Sequence, residues 1–281
     1  MIVVTGATGT VGGHVARLLS AHHPTRVLGR SRGRLREAAP GADAVGADFA
    51  DRRSLERALD GARALFVVTT DPSRPDHDEN LLAAARTAGM EHVVKLSALA
   101  VTDEGATDLI TAWQRENEER VRACGLAWTI LRPRSFMSNT LSWAESIRAS
   151  GAVLTPQPHS RNASVDPRDV AKAAVVALTA PGHGQRHYAL TGPEPISPAE
   201  QCEHLAEVLA RPVRCCEIPL ERAYLSWARR YPEPIAQALL DSARRQGEGA
   251  KQHVDPAVEK LLGRPARSYR DWAKDHAERF G

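Results

Sequence analysis

Three glycines spaced three apart, Gly6, Gly9 and Gly12, follow the β-branched run Ile2-Val3-Val4-Thr5 and precede Val11, Val15, Leu18 and Leu19 at helical spacing. A buried strand, a glycine turn and a helix in that order form a phosphate cradle. The first glycine lets the chain reverse, the second lets backbone approach a pyrophosphate, and the third lets the helix pack on the strand. The helix N-terminus adds free amides and the positive end of its dipole. Gly6, Thr8, Gly9, Thr10, Val11 and Gly12 are therefore candidate dinucleotide contacts. The next strand-like run, Arg26-Val27-Leu28-Gly29, ends on Arg30. A carboxylate at that strand end holds a ribose 2′-hydroxyl, whereas a guanidinium pairs with a 2′-phosphate. Arg30, followed by Ser31, Arg32 and Arg34, points to NADPH rather than NADH as the cofactor.

Such a turn works only at the edge of a sheet that supplies the other contacts. The chain has 281 residues, 42% hydrophobic and 25% charged, which is ordinary globular usage and enough for a large α/β core. Lys plus Arg number 37 against 34 Asp plus Glu, with no basic stripe, so nucleic acid is not an expected partner. The cysteines, Cys124, Cys202, Cys215 and Cys216, form neither a disulfide framework nor a CxxC metal pair. No apolar run approaches the roughly 18 residues of a membrane span, and the first residues do not read as a secretory leader. The expectation is a cytoplasmic protein acting on a small hydrophobic molecule, with no nucleic-acid or membrane partner. Strand patterns at 2–5, 26–29, 44–48, 64–68, 92–97 and 128–131 alternate with helical ones at 54–59, 78–88 and 112–123. That alternation predicts an α/β fold with a doubly wound parallel sheet. Further helices are expected at 169–179, 198–209, 220–229 and 269–280, with a strand at 188–192. The expected division is a dinucleotide-binding domain over 1–155 and a smaller substrate lobe over 156–281, partly interleaved with the sheet. Residues 246–255, polar with two glycines, are the expected mobile segment. Ligands of such sheets sit beyond the carboxyl ends of the strands. This gathers Gly6–Gly12, Arg30, Asp48, Phe49, Thr69, Ser97 and the 133–139 loop along one edge, with Asp48 and Phe49 at the adenine.

Several segments resemble the NmrA-like branch of the atypical short-chain dehydrogenases/reductases. They are TGATGTVG (5–12), GADFADRRSLERAL (46–59) and NLLAAARTAGMEHVVKLSAL (80–99), then WQRENEERVRACGLAWTILRPRSFMSN (113–139), DPRDVA (166–171), YALTGPE (188–194) and LGRPARSYRDWAKDHAERF (262–280). The resemblance covers nearly the whole chain and implies a Rossmann domain, NADP(H) preference and a small substrate lobe. That branch is similar to quinone and azo reductases, to tailoring ketoreductases of aromatic natural products, and to NADP-binding regulators. It also implies that Ser97 and the loop from Pro133 through Ser135, Phe136 and Asn139 lie at the nicotinamide end.

Ordinary members of the wider family donate a proton from Tyr-x-x-x-Lys. Here none of Tyr188, Tyr224, Tyr231 and Tyr269 has a lysine four residues later, and the corresponding helix carries Trp113, Gln114 and Asn117. An amide orients a carbonyl but is no general acid near neutral pH. Ser97 and Asn117 are the candidate catalytic residues, as hydrogen-bond donors or relays. Losing a positioned acid forfeits roughly 10²–10⁴ in rate, so an intrinsically electrophilic carbonyl or quinone, polycyclic and aromatic, is the expected acceptor. The alternatives are a quinone or azo reductase, or a sensor of the NADPH:NADP ratio. Trp113, with Trp143 and Trp227, could line a pocket for a flat ligand or simply be core. Asp103–Asp108 reads as a solvated acidic lip, and 115–120 as a charged helix face with Asn117 alone inward. His183 and His187 lie across a turn rather than on one helix face, so no metal is expected.

Overall fold

The computed structural model describes all 281 residues. In chain order, the first half runs β1 (Ile2–Thr5), α1 (Thr10–Ser20), β2 (Thr25–Gly29), α2 (Arg32–Ala38), β3 (Asp43–Gly46), α3 (Arg52–Leu59), β4 (Ala64–Val67), α4 (Asp76–Thr87), β5 (His92–Leu96), α5 (Leu109–Arg122) and β6 (Ala127–Pro133). Then follow α6 (Ala144–Ser150), β7 (Ala152–Thr155), α7 (Pro167–Thr179), β8 (Arg186–Leu190), α8 (Pro198–Leu209), β9 (Arg214–Glu217), α9 (Leu220–Ala228), α10 (Glu233–Gly247), α11 (Ala257–Leu262) and α12 (Tyr269–Asp275). The chain divides into two compact units. The first comprises Met1–Ala98, Trp113–Arg132 and Pro167–Ala189; the second comprises Leu99–Ala112, Pro133–Asp166 and Leu190–Gly281.

The seven-stranded sheet has the order β3-β2-β1-β4-β5-β6-β8. Its central strands β1 and β4 are short apolar runs because helices cover both faces there, as in other parallel sheets. β1, β4 and the middle of β5 are wholly buried. The register sets Thr5 opposite Leu28, Gly29 opposite Gly46, Val67 opposite Lys95 and Leu96 opposite Leu131, all parallel. The carboxyl ends therefore share one edge, and strand order reverses between β1 and β4, the crevice where such folds bind nucleotides. Leu55, Leu59, Leu65, Leu81, Val93 and Ile130 form part of the core of this unit.

Helix α5 begins earlier than the pattern suggests because Asp108 caps it: its carboxylate accepts from the Thr111 amide at 3.0 Å and the Thr111 hydroxyl at 2.8 Å. That cap also corrects the solvated acidic lip. The Asp108 side chain is 4% exposed and is paired with Arg245.

The second unit has its own core, in which Tyr269, Trp272 and Phe280 pack with Met137, Ile147, Val153 and Leu205. The Tyr269 hydroxyl donates to Thr140 Oγ1 at 3.0 Å, and Trp272 stacks on Tyr269 and His276. Helix α8 starts at a capping box between Ser197 and Glu200, a feature readable in the sequence Ser-Pro-Ala-Glu. The small β7–β9 pair and helix α10 had no counterpart in the sequence reading. Four-residue strands are too short to show a period, whereas Pro234 in the first turn and Gly247 in the last were the available signals for the ends of α10. Residues 246–255 are not loose in the fold. The Ala163 amide donates to the Lys251 carbonyl at 2.9 Å, and the Asp255 amide donates to Thr191 Oγ1 at 3.0 Å.

Candidate functional site

The β1–α1 turn has the geometry a dinucleotide phosphate needs. Gly6 has φ +67°, and a Cβ there would lie 2.8 Å from the Val68 Cβ. At Gly12 a Cβ would come within 2.2 Å of the Gly6 carbonyl oxygen, so only hydrogen lets α1 approach the turn. The Thr5 hydroxyl fastens this end of β1 to β4, accepting from the Val68 amide at 2.7 Å. Gly9 caps α1 with no side-chain hydrogen bond, and the first turn holds no acidic residue. The opening amides of Thr10, Val11 and Gly12 are thus left without intrahelical partners, which fits a pyrophosphate.

Arg30 is exposed just beyond β2 and forms no hydrogen bond or ion pair within the chain. Arg32, by contrast, donates its Nε to the Ala44 carbonyl at 3.1 Å, and Ser31 caps α2. In this loop Arg30 and Arg34 both have guanidiniums open to a 2′-phosphate, and Arg30 is the one at the strand end. Asp48 is exposed and accepts from the Ala50 amide at 3.0 Å. The half-buried Phe49 ring meets His77 edge-on at 5.9 Å, and the Phe49 carbonyl accepts from Asn80 at 3.0 Å. The residues present fit NAD(P)H.

At the ends of β4 and β5 lies a buried ion pair that the sequence reading did not single out. Lys95 and Asp78 are wholly buried, with Nζ to Oδ1 at 2.7 Å. Thr69 bridges them, accepting from Lys95 at 2.9 Å and donating to Asp78 at 2.6 Å. Burial pushes the Lys95 amine below its ordinary value, and the Asp78 charge opposes that shift. A lysine inside an apolar parallel strand demands a buried counter-ion, and that was the available signal.

Helix α5 presents Trp113, Gln114 and Asn117 as buried residues, and each carries a buried polar atom without a partner: Trp113 Nε1, Gln114 Oε1 and Asn117 Nδ2. Unpaired buried polar atoms cost about 1–3 kcal/mol each, so a cluster of them marks a place for ligand groups. The Asn117 Oδ1 accepts from Arg120 at 3.0 Å, which leaves the amide nitrogen as the open donor. Glu118 corrects the reading of 115–120 as a charged helix face with Asn117 the inward member. It is 2% exposed, held by Arg132 at 2.6 Å and by Arg122 at 2.6 Å. Ser97 is also buried, and its hydroxyl donates to Glu118 Oε1 at 2.7 Å. Burial alone would raise the Glu118 carboxyl, but hydrogen bonds from Arg132 and Ser97 outweigh it and hold the group below its ordinary value. The Ser97 proton is thus committed to a carboxylate.

In the second unit, Pro133 is buried, Ser135 and Phe136 are half-buried and Asn139 is exposed. Phe136 bridges to Val165, and Ser135 Oγ accepts from Asn162 Nδ2 at 3.0 Å. Met137 and Trp143 belong to the core of that unit, and Trp227 lies half-buried on α9. In the first unit, His183 bonds the Tyr188 hydroxyl at 2.8 Å.

A glycine turn at the switch point of a parallel α/β sheet defines a class of dinucleotide-binding proteins. The family model described as NAD(P)H-binding matches residues 6–181, and the chain belongs to that family. It is an NAD(P)H-dependent oxidoreductase. The chain is 50% identical over 280 residues to a (4-alkanoyl-5-oxo-2,5-dihydrofuran-3-yl)methyl phosphate reductase of Streptomyces griseus, covering 100% of this chain and 99% of that protein. It is 37% identical over 287 residues to an NAD(P)H azoreductase of Xenophilus azovorans, covering 100% and 99%. In fold it matches the NADPH complex of a quinone oxidoreductase from Escherichia coli, with TM-score 0.86, 22% identity, and 98% and 99% of the two chains covered.

Proposed function

We propose that the protein reduces the doubly activated carbon–carbon double bond of an acylated unsaturated lactone that carries a phosphate ester, with NADPH as the preferred cofactor. The observation that carries this reading is the lack of the usual proton donors at the nicotinamide end: no tyrosine is followed by lysine four residues on, and the Ser97 hydroxyl is bound to Glu118 at 2.7 Å. Such a site suits an acceptor whose reduced anion is stable on its own. When bound, NADPH supplies a hydride to the carbon β to both carbonyls. The electron pair of the double bond then becomes an enolate spread over the lactone and acyl oxygens, and water can protonate it. The 50% identity to a reductase of such a furanone phosphate supports this acceptor class.

The chain's own contribution is binding and orientation. Gly6, Thr8, Gly9, Thr10, Val11 and Gly12 take the pyrophosphate and Arg30 the 2′-phosphate, while Asp48 and Phe49 border the adenine. Asn117 Nδ2, buried and unpartnered, offers a fixed donor to a carbonyl or ribose oxygen. Ser97 positions through Glu118 rather than acting as an acid, and Thr69 acts through the Lys95–Asp78 pair. Ser135, Phe136, Asn139 and Trp113 are the proposed acceptor contacts, and Pro133 the proposed cofactor contact in the same loop.

The test is NADPH consumption, followed by absorbance, against four acceptors: an acylated butenolide phosphate, a simple unactivated ketone, a quinone and a polycyclic aromatic ketone. The expected order places the butenolide first and the simple ketone last. If the polycyclic ketone exceeds the butenolide in kcat/KM, the acceptor is instead the aromatic carbonyl expected from the sequence. No consumption with any of them, despite tight NADPH binding, would turn the reading toward a sensor.

A further inference from the structure

The second unit contains three inward cations and too few anions for them. Arg245, its side chain 12% exposed, takes both nearby carboxylates, Asp108 at 2.8 Å and Asp103 at 3.3 Å. Lys251 has no carboxylate at ion-pair distance. Its Nζ donates to neutral oxygens, Ser242 Oγ at 2.7 Å and Gln246 Oε1 at 3.5 Å. The Arg134 side chain forms no hydrogen bond or ion pair within the chain, and its Nε is buried and unpartnered. Ordinary surface arginines and lysines keep their charge in water; Arg134 and Lys251 have surrendered water without gaining a carboxylate at ion-pair distance.

Hydrogen bonds knit these groups to a residue already proposed to meet the acceptor. Asn162 Nδ2 donates to Ser135 Oγ at 3.0 Å and to Gln246 Oε1 at 3.2 Å, and the Ala163 amide donates to the Lys251 carbonyl at 2.9 Å. Because Ser135 Oγ accepts from Asn162, its own O–H remains to donate. Burial, then the charges of Arg245 and Arg134, push the Lys251 amine down to about 8, against the opposing charges of Asp108 and Asp103. An anion at Lys251 would offset the two neighbouring guanidiniums.

We propose that Arg134, Ser135 and Lys251 form a phosphate-monoester subsite, with Arg245, Asp103 and Asp108 as the scaffold that holds it. The subsite rests on the reading of the acceptor as a phosphate ester and supplies the residues for it. A guanidinium, an ammonium and a hydroxyl together match a dianion with three terminal oxygens, whereas a carboxylate or a neutral acceptor would leave donors unmet.

The probe is methyl phosphate, titrated into protein saturated with NADP⁺ so that the cofactor's own phosphate contacts are occupied, and followed by phosphorus NMR and calorimetry. Methyl sulfate and acetate are run in parallel. The expected result is one saturable methyl phosphate site, with the other two anions weaker and with binding reduced about 10- to 100-fold in both Arg134→Gln and Lys251→Gln. NADP⁺ affinity and circular dichroism of the variants establish that they fold. No methyl phosphate binding, equal binding of all three anions, or unchanged binding in both variants would overturn the subsite. A separate arm keeps the two proposals apart: NADPH consumption with an acylated butenolide bearing phosphate and with its dephosphorylated alcohol. If neither is reduced while methyl phosphate binds as expected, the acceptor reading fails and the subsite stands. If both are reduced with equal kcat/KM, the acceptor reading stands and the subsite fails.

Discussion

Two cations identify themselves by what they do not touch. Arg30 stands at the end of β2 with no partner in the chain, so its charge is open to a 2′-phosphate. Arg30→Glu is expected to lower the NADPH:NADH ratio of kcat/KM by about 10- to 100-fold, the size of a charge-assisted hydrogen bond, without altering the folded state. Steady-state kinetics with both cofactors check it, and an unchanged ratio would remove Arg30 from the site. Lys251 makes a pH-dependent prediction. Its amine lies near 8 against an ordinary 10.5, so above 8 the free protein carries it largely neutral. A bound phosphate dianion favours the charged form and raises that value. Binding of methyl phosphate just above pH 8 should therefore take up a proton, seen as a dependence of calorimetric enthalpy on buffer ionisation, and affinity should fall as pH rises further. Lys251→Gln should abolish the uptake. Glu118 lies below its ordinary value and is ionised throughout that range, so it contributes no inflection there.

At the scale of elements, the β1–α1 turn and the β4–β5 ends each depend on a close fit. Gly12→Ala places a Cβ 2.2 Å from the Gly6 carbonyl, and the neighbour is backbone that cannot swing away. The expected cost is about 3 kcal/mol, with loss of NADPH binding, read by denaturant unfolding and cofactor titration. The Lys95–Asp78 pair is buried completely at 2.7 Å. Lys95→Met alone leaves a buried carboxylate and is expected to cost about 3–5 kcal/mol, while the Lys95→Met/Asp78→Leu double variant should recover most of it. A double variant no more stable than the single would mean that the pair is needed for more than mutual charge balance. Helix α5 is half legible in the sequence. Its helical period and the inward amide of Asn117 can be read from spacing. The burial of Glu118 cannot, because it depends on Arg132 arriving from β6, fourteen residues away, to take the carboxylate.

For the whole molecule, each unit is assembled from three separated stretches of chain, and each has its own apolar core. In the second, Trp272 is 1% exposed and stacked against Tyr269 and His276. Trp272→Ala is expected to destabilise the protein by about 3–5 kcal/mol in denaturant unfolding; a loss under about 1 kcal/mol would mean the cavity collapses without penalty. The sequence by itself determined the alternating α/β order, the glycine turn, the basic strand end and the lack of a tyrosine–lysine acid. Those are local patterns of period, φ requirement and residue type, and they persist whatever the rest of the chain does. Only the tertiary structure decided which charges lie inside and which of them find a partner: Glu118 with Arg132, Lys95 with Asp78, Asp108 with Arg245, and Arg134 and Lys251 with no carboxylate at ion-pair distance. Those pairings join residues from 14 to 137 positions apart, and in a low-dielectric interior the presence or absence of one partner sets both the charge state and the chemistry of the other.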